Sequence, residues 1–137
     1  LSIRRQRQMC IRDRINAVLQ AEMFNFYSQR MEKVILFLRS RFRRFTNTAT
    51  IVVGVLFVML VHSLQVWIWA MTFQWVGAFS ETEPALYFSL VSFSTVGFGD
   101  ITLGPDWRLL SALTAANGFI SFGWSTAYMV ELVRRTS

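Results

Sequence analysis

The chain has 137 residues, 53% of them hydrophobic and 15% aromatic, with a formal net charge of +6. That is one small domain, too apolar for an ordinary soluble fold of this size. Residues 1–14 hold five arginines against one aspartate, and residues 15–137 hold nine basic and seven acidic residues. A nucleic-acid-binding function would therefore rest wholly on the first fourteen positions.

Those positions come first in the chain. Arg4-Arg5-Gln6-Arg7-Gln8-Met9-Cys10-Ile11-Arg12-Asp13-Arg14 resembles the in-frame translation of a transposase sequencing adapter more than a basic arm for acidic lipid or nucleic acid. Residues 1–14 are therefore left out of the fold, natural upstream sequence is expected to be missing, and Cys10, the single cysteine, says nothing about redox compartment. From 15 to 44, Ile15, Val18 or Leu19, Met23, Phe26 or Tyr27, Met31, Val34 and Leu38 recur at three- and four-residue steps, which predicts an amphipathic helix. Its apolar burst, Val34-Ile35-Leu36-Phe37-Leu38, is far short of the roughly 20 residues a bilayer span needs. Residues 15–47 are thus expected along the membrane surface or against neighbouring subunits. Arg39, Arg41, Arg43 and Arg44 are spaced irregularly in a short polar stretch. That suits a basic cluster at the cytoplasmic headgroups, not the regularly spaced arginines of a voltage sensor.

Residues 49–75 contain no Asp, Glu, Lys or Arg and are predicted to form a first spanning helix, with Trp67, Trp69 and Trp75 as an aromatic belt toward its far end. His62 and Gln65 are polar positions within it. His62 either titrates as a pH sensor or simply hydrogen-bonds a neighbouring helix, and no cysteine or serine partner is expected for it. Ser80-Glu81-Thr82-Glu83-Pro84 breaks the helix. Thr82 or Glu83 is expected to cap a new one, with Pro84 in the first turn and the acidic residues complementing the helix N-terminus. Residues 84–94 are too short to cross and predict a half-membrane helix. Leu103-Gly104-Pro105-Asp106 is a turn, and 107–133 predicts a second spanning helix, followed by Arg134-Arg135. Arginines flank both spans on the outside of the pair, while the segment between them holds Glu81, Glu83, Asp100 and Asp106 against Arg108 alone. By the positive-inside rule both flanks are cytoplasmic.

Between the two apolar segments lies Thr95-Val96-Gly97-Phe98-Gly99-Asp100. Irregular backbone facing lipid would strand N–H and C=O groups at several kcal/mol each, so such a loop must line a polar pathway. A dinucleotide fingerprint fails, because the third glycine is missing. No catalytic constellation or metal-ligand cluster competes, and no cofactor is implied.

Thr-x-Gly-(Tyr/Phe)-Gly-Asp resembles the selectivity-filter signature of potassium channels, and Ala85 to Ser94 looks like the pore helix running into it. Trp107-Arg108-Leu109 and Gly118-Phe119-Ile120-Ser121-Phe122-Gly123 resemble the start and the glycine-bearing middle of that family's inner helix. The likeness covers roughly 48–135 and is nearest to small bacterial two-pore-type potassium channel subunits with one pore loop per chain. It implies an all-α membrane protein built from an outer helix, a re-entrant pore helix and filter (84–94 and 95–100) and an inner helix. Four chains would form the pore in the inner cell membrane, with lipid around them. K⁺ would pass through rings of backbone carbonyls from Thr95, Val96, Gly97 and Phe98, the general mechanism of the family. Carbonyls all point inward only if successive residues alternate in handedness, and Gly97 and Gly99 take positive φ without a Cβ clash. Asp100 would concentrate cations at the outer mouth. Val91 leaves it no pore-helix carboxylate partner, so Tyr87 is the candidate donor. Phe98 would pack behind the filter without the hydroxyl of the more frequent tyrosine. Phe119, Phe122 and Thr126 share one helical face, which lines the inner cavity or meets lipid and other helices. Gly118 and Gly123 are either gating hinges or small packing residues. A weakly selective cation channel and a non-conducting membrane partner of other channel subunits are the alternatives.

Overall fold

A computed structural model describes residues 46–136, together with Glu22 and Asn25, which are helical. The adapter-like start, the arginine cluster and, those two residues apart, the amphipathic segment at 15–44 lie outside the described residues. Three helices follow in order: α1, Thr46–Trp75; α2, Thr82–Phe93; and α3, Arg108–Thr136. Each packs on the other two, and the described residues contain no strand.

The long first helix follows from its composition, since neither a charge nor a proline interrupts it. Its 30 residues make about 45 Å at 1.5 Å each, longer than the hydrocarbon core of a bilayer. Gly77 ends it. At φ +80° this glycine sits where the Ala78 N–H reaches the Phe73 carbonyl (2.9 Å) and its own N–H reaches that of Gln74 (3.0 Å). That paired closure consumes two orphan carbonyls of the last turn and needs a left-handed residue. Helix α2 starts differently from expectation. Glu81, extended at φ −113° and ψ 151°, occupies the cap position and makes no side-chain capping bond. Thr82 is already helical, and its hydroxyl instead accepts from Gln74 Nε2 at 3.1 Å, tying the start of α2 to the end of α1. Pro84 still falls in the first turn, where no intrahelical N–H partner is lost.

The core gathers Val66, Trp69 and Phe73 from α1, Phe88 and Phe93 from α2, and Leu110 from α3. Phe73 and Phe88 meet edge to face at 5.2 Å and 87°, a geometry that adds about 0.5–1.5 kcal/mol to simple burial. A second contact lies where Leu132 of α3 fills the space that a side chain on Gly54 would take.

The polarity of α1 is inverted relative to a soluble helix. Val52, Leu56, Met59, Leu60, Leu64, Trp67, Met71 and Trp75 are exposed, while Thr50, Gln65 and Thr72 are buried. Soluble monomers rarely expose so continuous an apolar face. Asn47–Trp75 is the one described helix long and apolar enough to cross a membrane. Helix α3 has the length but not the hydropathy, because Ser111, Thr114, Asn117, Ser121, Ser125 and Thr126 interrupt it.

Candidate functional site

The last turn of α2 leads directly into the glycine loop and holds it by backbone bonds. Ser94 N–H donates to the Leu90 carbonyl (2.9 Å), Thr95 N–H to Ser92 (3.0 Å) and Gly97 N–H to Val91 (3.3 Å). The Ser94 hydroxyl also donates to the Val91 carbonyl at 3.3 Å. The loop then alternates in hand: Thr95 at φ +60°, Gly97 at +58° and Gly99 at +78° are left-handed, while Val96 and Phe98 are not. Alternation of this kind turns successive peptide planes so that their carbonyls line one side of the strand.

Positive φ at the two glycines follows from their missing Cβ. Positive φ at Thr95 does not, because a β-branched residue there is a conformational outlier. Such strain, of order 1–3 kcal/mol, persists only where the surroundings over-determine the backbone. Here the Thr95 N–H and the Gly97 N–H both anchor to the last turn of α2, and the torsion between them is fixed. Val96 and Phe98 are 56% and 70% exposed, so within one chain the Phe98 ring does not pack behind the loop.

Asp100 closes the loop against α2. Tyr87 Oη donates to its carboxylate at 2.6 Å, the contact the sequence left to Tyr87 once Val91 offered no carboxylate. That hydrogen bond holds the Asp100 carboxyl below its usual range and raises the Tyr87 phenol, with the Asp100 charge adding to the latter. A carboxylate depressed in the folded state gives a contribution that is complete above its unfolded pKa and lost as pH falls through the folded one. Tyr87→Phe is therefore expected to loosen the loop at neutral pH, seen as lower protection of the Gly97 amide against hydrogen exchange. It should also remove the further loss of protection that acid causes in the wild type. Protection identical to wild type at every pH would show that the bond does not restrain the loop.

Helix α3 meets the end of α2 at Gly118 and not at Gly123. A Cβ on Gly118 would fall on the Phe93 carbonyl, so the end of α2 rests directly on the α3 backbone there. Around Gly123 no heavy atom lies within 4 Å of such a Cβ. Phe119 is 74% exposed and Thr126 is exposed, its hydroxyl donating to its own Phe122 carbonyl at 2.9 Å. Phe122 leaves that face. Its ring packs on His62 of α1 (4.8 Å, 88°) and on Phe93 (5.7 Å, 65°). The steps from Phe119 explain this: Thr126 returns almost to the same azimuth, whereas Phe122 is rotated by about 60° toward α1. Sequence reasoning missed Ala112, Ala116 and Val130, which are exposed on the same face as Phe119, Gly123 and Thr126 at steps of three and four. It also denied His62 a serine partner, yet His62 Nε2 lies 2.9 Å from Ser125 Oγ.

Among the described residues no group of His, Cys, Asp or Glu is placed to hold a metal ion. No curated protein and no solved structure matches the chain. A family model described as an ion channel matches residues 59–135, more than half of the chain, from the middle of α1 through the glycine loop to the end of α3. An apolar helix fit to cross a membrane, a short helix that cannot, and a loop of alternating hand all fall within or across that match, and the chain belongs to the ion channel family.

Proposed function

We propose that the chain is the pore-forming subunit of a K⁺-selective channel, conducting potassium passively through a filter made of Thr95, Val96, Gly97, Phe98 and Gly99. The observation that carries this reading is the alternating hand of the loop, left at Thr95, Gly97 and Gly99. A potassium ion entering a narrow pore sheds water, and oxygens of comparable strength must replace it at low cost. Carbonyls lined up by alternation, and held by hydrogen bonds to α2, supply them without reorganising as the ion passes.

One loop cannot encircle an ion, so several chains do, in a closed cyclic assembly of four. Neighbouring copies then cover Val96 and Phe98, which a single chain leaves open. Helices α1 and α3 both cross the cell membrane, with the two outer flanks cytoplasmic. The exposed apolar face of α1 meets lipid. The exposed face of α3, from Ala112 through Phe119 and Thr126 to Val130, borders the water-filled inner cavity, while Thr114, Ser121 and Ser125 of the same helix are buried. The C-terminal end of α2 directs partial negative charge toward that cavity, and Asp100 focuses cations at the outer mouth.

Native mass measurement of the purified protein and planar-bilayer recording of the same sample test the assembly. Four copies and unitary currents without any added subunit are expected. A monomer, or a tetramer silent in every bilayer, would identify a non-conducting partner of other channel subunits instead.

A further inference from the structure

On the assumption that the chain conducts as proposed above, we infer that His62 is a positioning residue that couples the inner helix to the base of the filter and makes conduction depend on cytoplasmic pH. The imidazole touches all three helices. It belongs to α1, reaches Ser125 of α3 at 2.9 Å, and stands edge-on to Phe93 of α2 at 6.0 Å and Phe122 of α3 at 4.8 Å. Phe93 is two residues from Thr95, and its carbonyl rests on Gly118. A displacement of α3 at Ser125 is thus transmitted to the first filter residue through one ring.

The proton count fixes how the contact works. Ser125 has one hydroxyl proton, and it donates that proton to the Ser121 carbonyl at 2.8 Å. Toward His62 it can only accept, so the neutral ring carries its proton on Nε2 and leaves a lone pair on Nδ1. A second proton on Nδ1 creates a cation against the rings of Phe93 and Phe122. No carboxylate lines the groove beside the ring, and the Ser121 carbonyl is a further hydrogen-bond acceptor next to it. Helix α1 has no other charged or titratable group between Thr46 and Trp75, and α2 places Glu83 and Tyr87 in its first two turns, with Tyr87 committed to Asp100. Helix α3 contributes Arg134, a like charge lining the same groove, while Glu131 does not line it. That groove, about 630 Å³ between α1 and the cytoplasmic half of α3, is open and leads from His62 past Thr126 and Met129 to Arg134. It gives a proton a route to the ring from the cytoplasmic side. Protonation at Nδ1 leaves Nε2–H donating to Ser125 Oγ and strengthens that bond, so the charged ring ties α3 to α1 more firmly beside Phe93.

The test uses the full chain in phosphatidylethanolamine and phosphatidylglycerol vesicles, with ¹⁵N-imidazole NMR beside K⁺ flux. His62 is the only histidine, so the NMR signals belong to it alone. The expected spectrum at high pH is the Nε2–H tautomer, shifted by Ser125→Ala. A proton on Nδ1, or indifference to Ser125→Ala, overturns the coupling whether or not the vesicles conduct. Wild-type flux is expected to change at least about threefold between cytoplasmic pH of about 8 and about 5, about the step from a neutral to a charge-assisted hydrogen bond. His62→Gln keeps a neutral donor to Ser125 and should hold the high-pH flux throughout, and Ser125→Ala should remove the pH response. A pH response that survives in His62→Gln, or no response in the wild type, overturns this role alone. No flux from any sample overturns the channel reading and this role with it.

Discussion

Replacing Gly97 with alanine is expected to abolish potassium-selective flux. Gly97 sits at φ +58°, and no heavy atom of the chain lies within 4 Å of where a Cβ would be added. The damage therefore comes from backbone conformation and not from a clash within the subunit. An L-residue held in the left-handed region costs roughly 1–2 kcal/mol, and in the proposed four-chain pore that makes about 4–8 kcal/mol. Relaxing to negative φ removes the strain but turns one carbonyl of each ring away from the ion. On a scale where 1.4 kcal/mol is tenfold, a loss of at least about a hundredfold in K⁺ flux follows. Gly104→Ala is the matched control, since Gly104 has neither a positive φ nor a close neighbour at its Cβ position. Ordinary preference for K⁺ over Na⁺ in Gly97→Ala would remove the loop from the conduction pathway.

The second large effect is expected at Gly118. Valine there drives its Cβ into the Phe93 carbonyl, and backbone cannot swing aside as the tip of a side chain can. Overpacking commonly costs about 1–3 kcal/mol, and an obstacle made of backbone belongs at the upper end. The last turn of α2 must shift, and Thr95 shifts with it. Gly118→Val should lower thermal stability in detergent, followed by tryptophan fluorescence, and should abolish flux. Gly123→Ala meets nothing and gains up to about 1 kcal/mol of helix propensity. Any change in open probability in that variant, at unchanged or higher stability, marks a hinge at Gly123. A Gly118→Val protein as stable and conductive as wild type would contradict the close approach of α2 to α3.

The residues that made the fold legible were those whose chemistry acts locally. The absence of charge from 49 to 75 announced a long apolar helix, the break at Ser80–Pro84 announced a short one, and alternate glycines at 97 and 99 announced a loop of alternating hand. What stayed hidden depends on register between distant segments. His62 and Ser125 are 63 positions apart and meet only because α1 and α3 run antiparallel with a particular offset. Phe122 shares a helical face with Phe119 on paper, yet a rotation of about 60° is enough to turn its ring onto His62 of α1, where it stays 37% exposed. Thr95 points the same way: every local rule argues against positive φ for threonine, and two hydrogen bonds to the preceding helix override it. The cap position at Glu81 was missed because the Thr82 hydroxyl serves Gln74 of the previous helix. The polar residues of α3 were visible throughout. Length alone read 107–133 as an ordinary span, whereas its serines and threonines set it apart from α1.

The most direct test of carbonyl-lined potassium conduction is uptake of K⁺, Rb⁺ and Na⁺, compared in vesicles reconstituted with the purified chain and nothing else. Uptake of K⁺ and Rb⁺ at similar rates, with Na⁺ slower by at least about a hundredfold, is the expected result, because only ions of that size exchange water for carbonyls at little cost. Sodium passing as freely as potassium would contradict it.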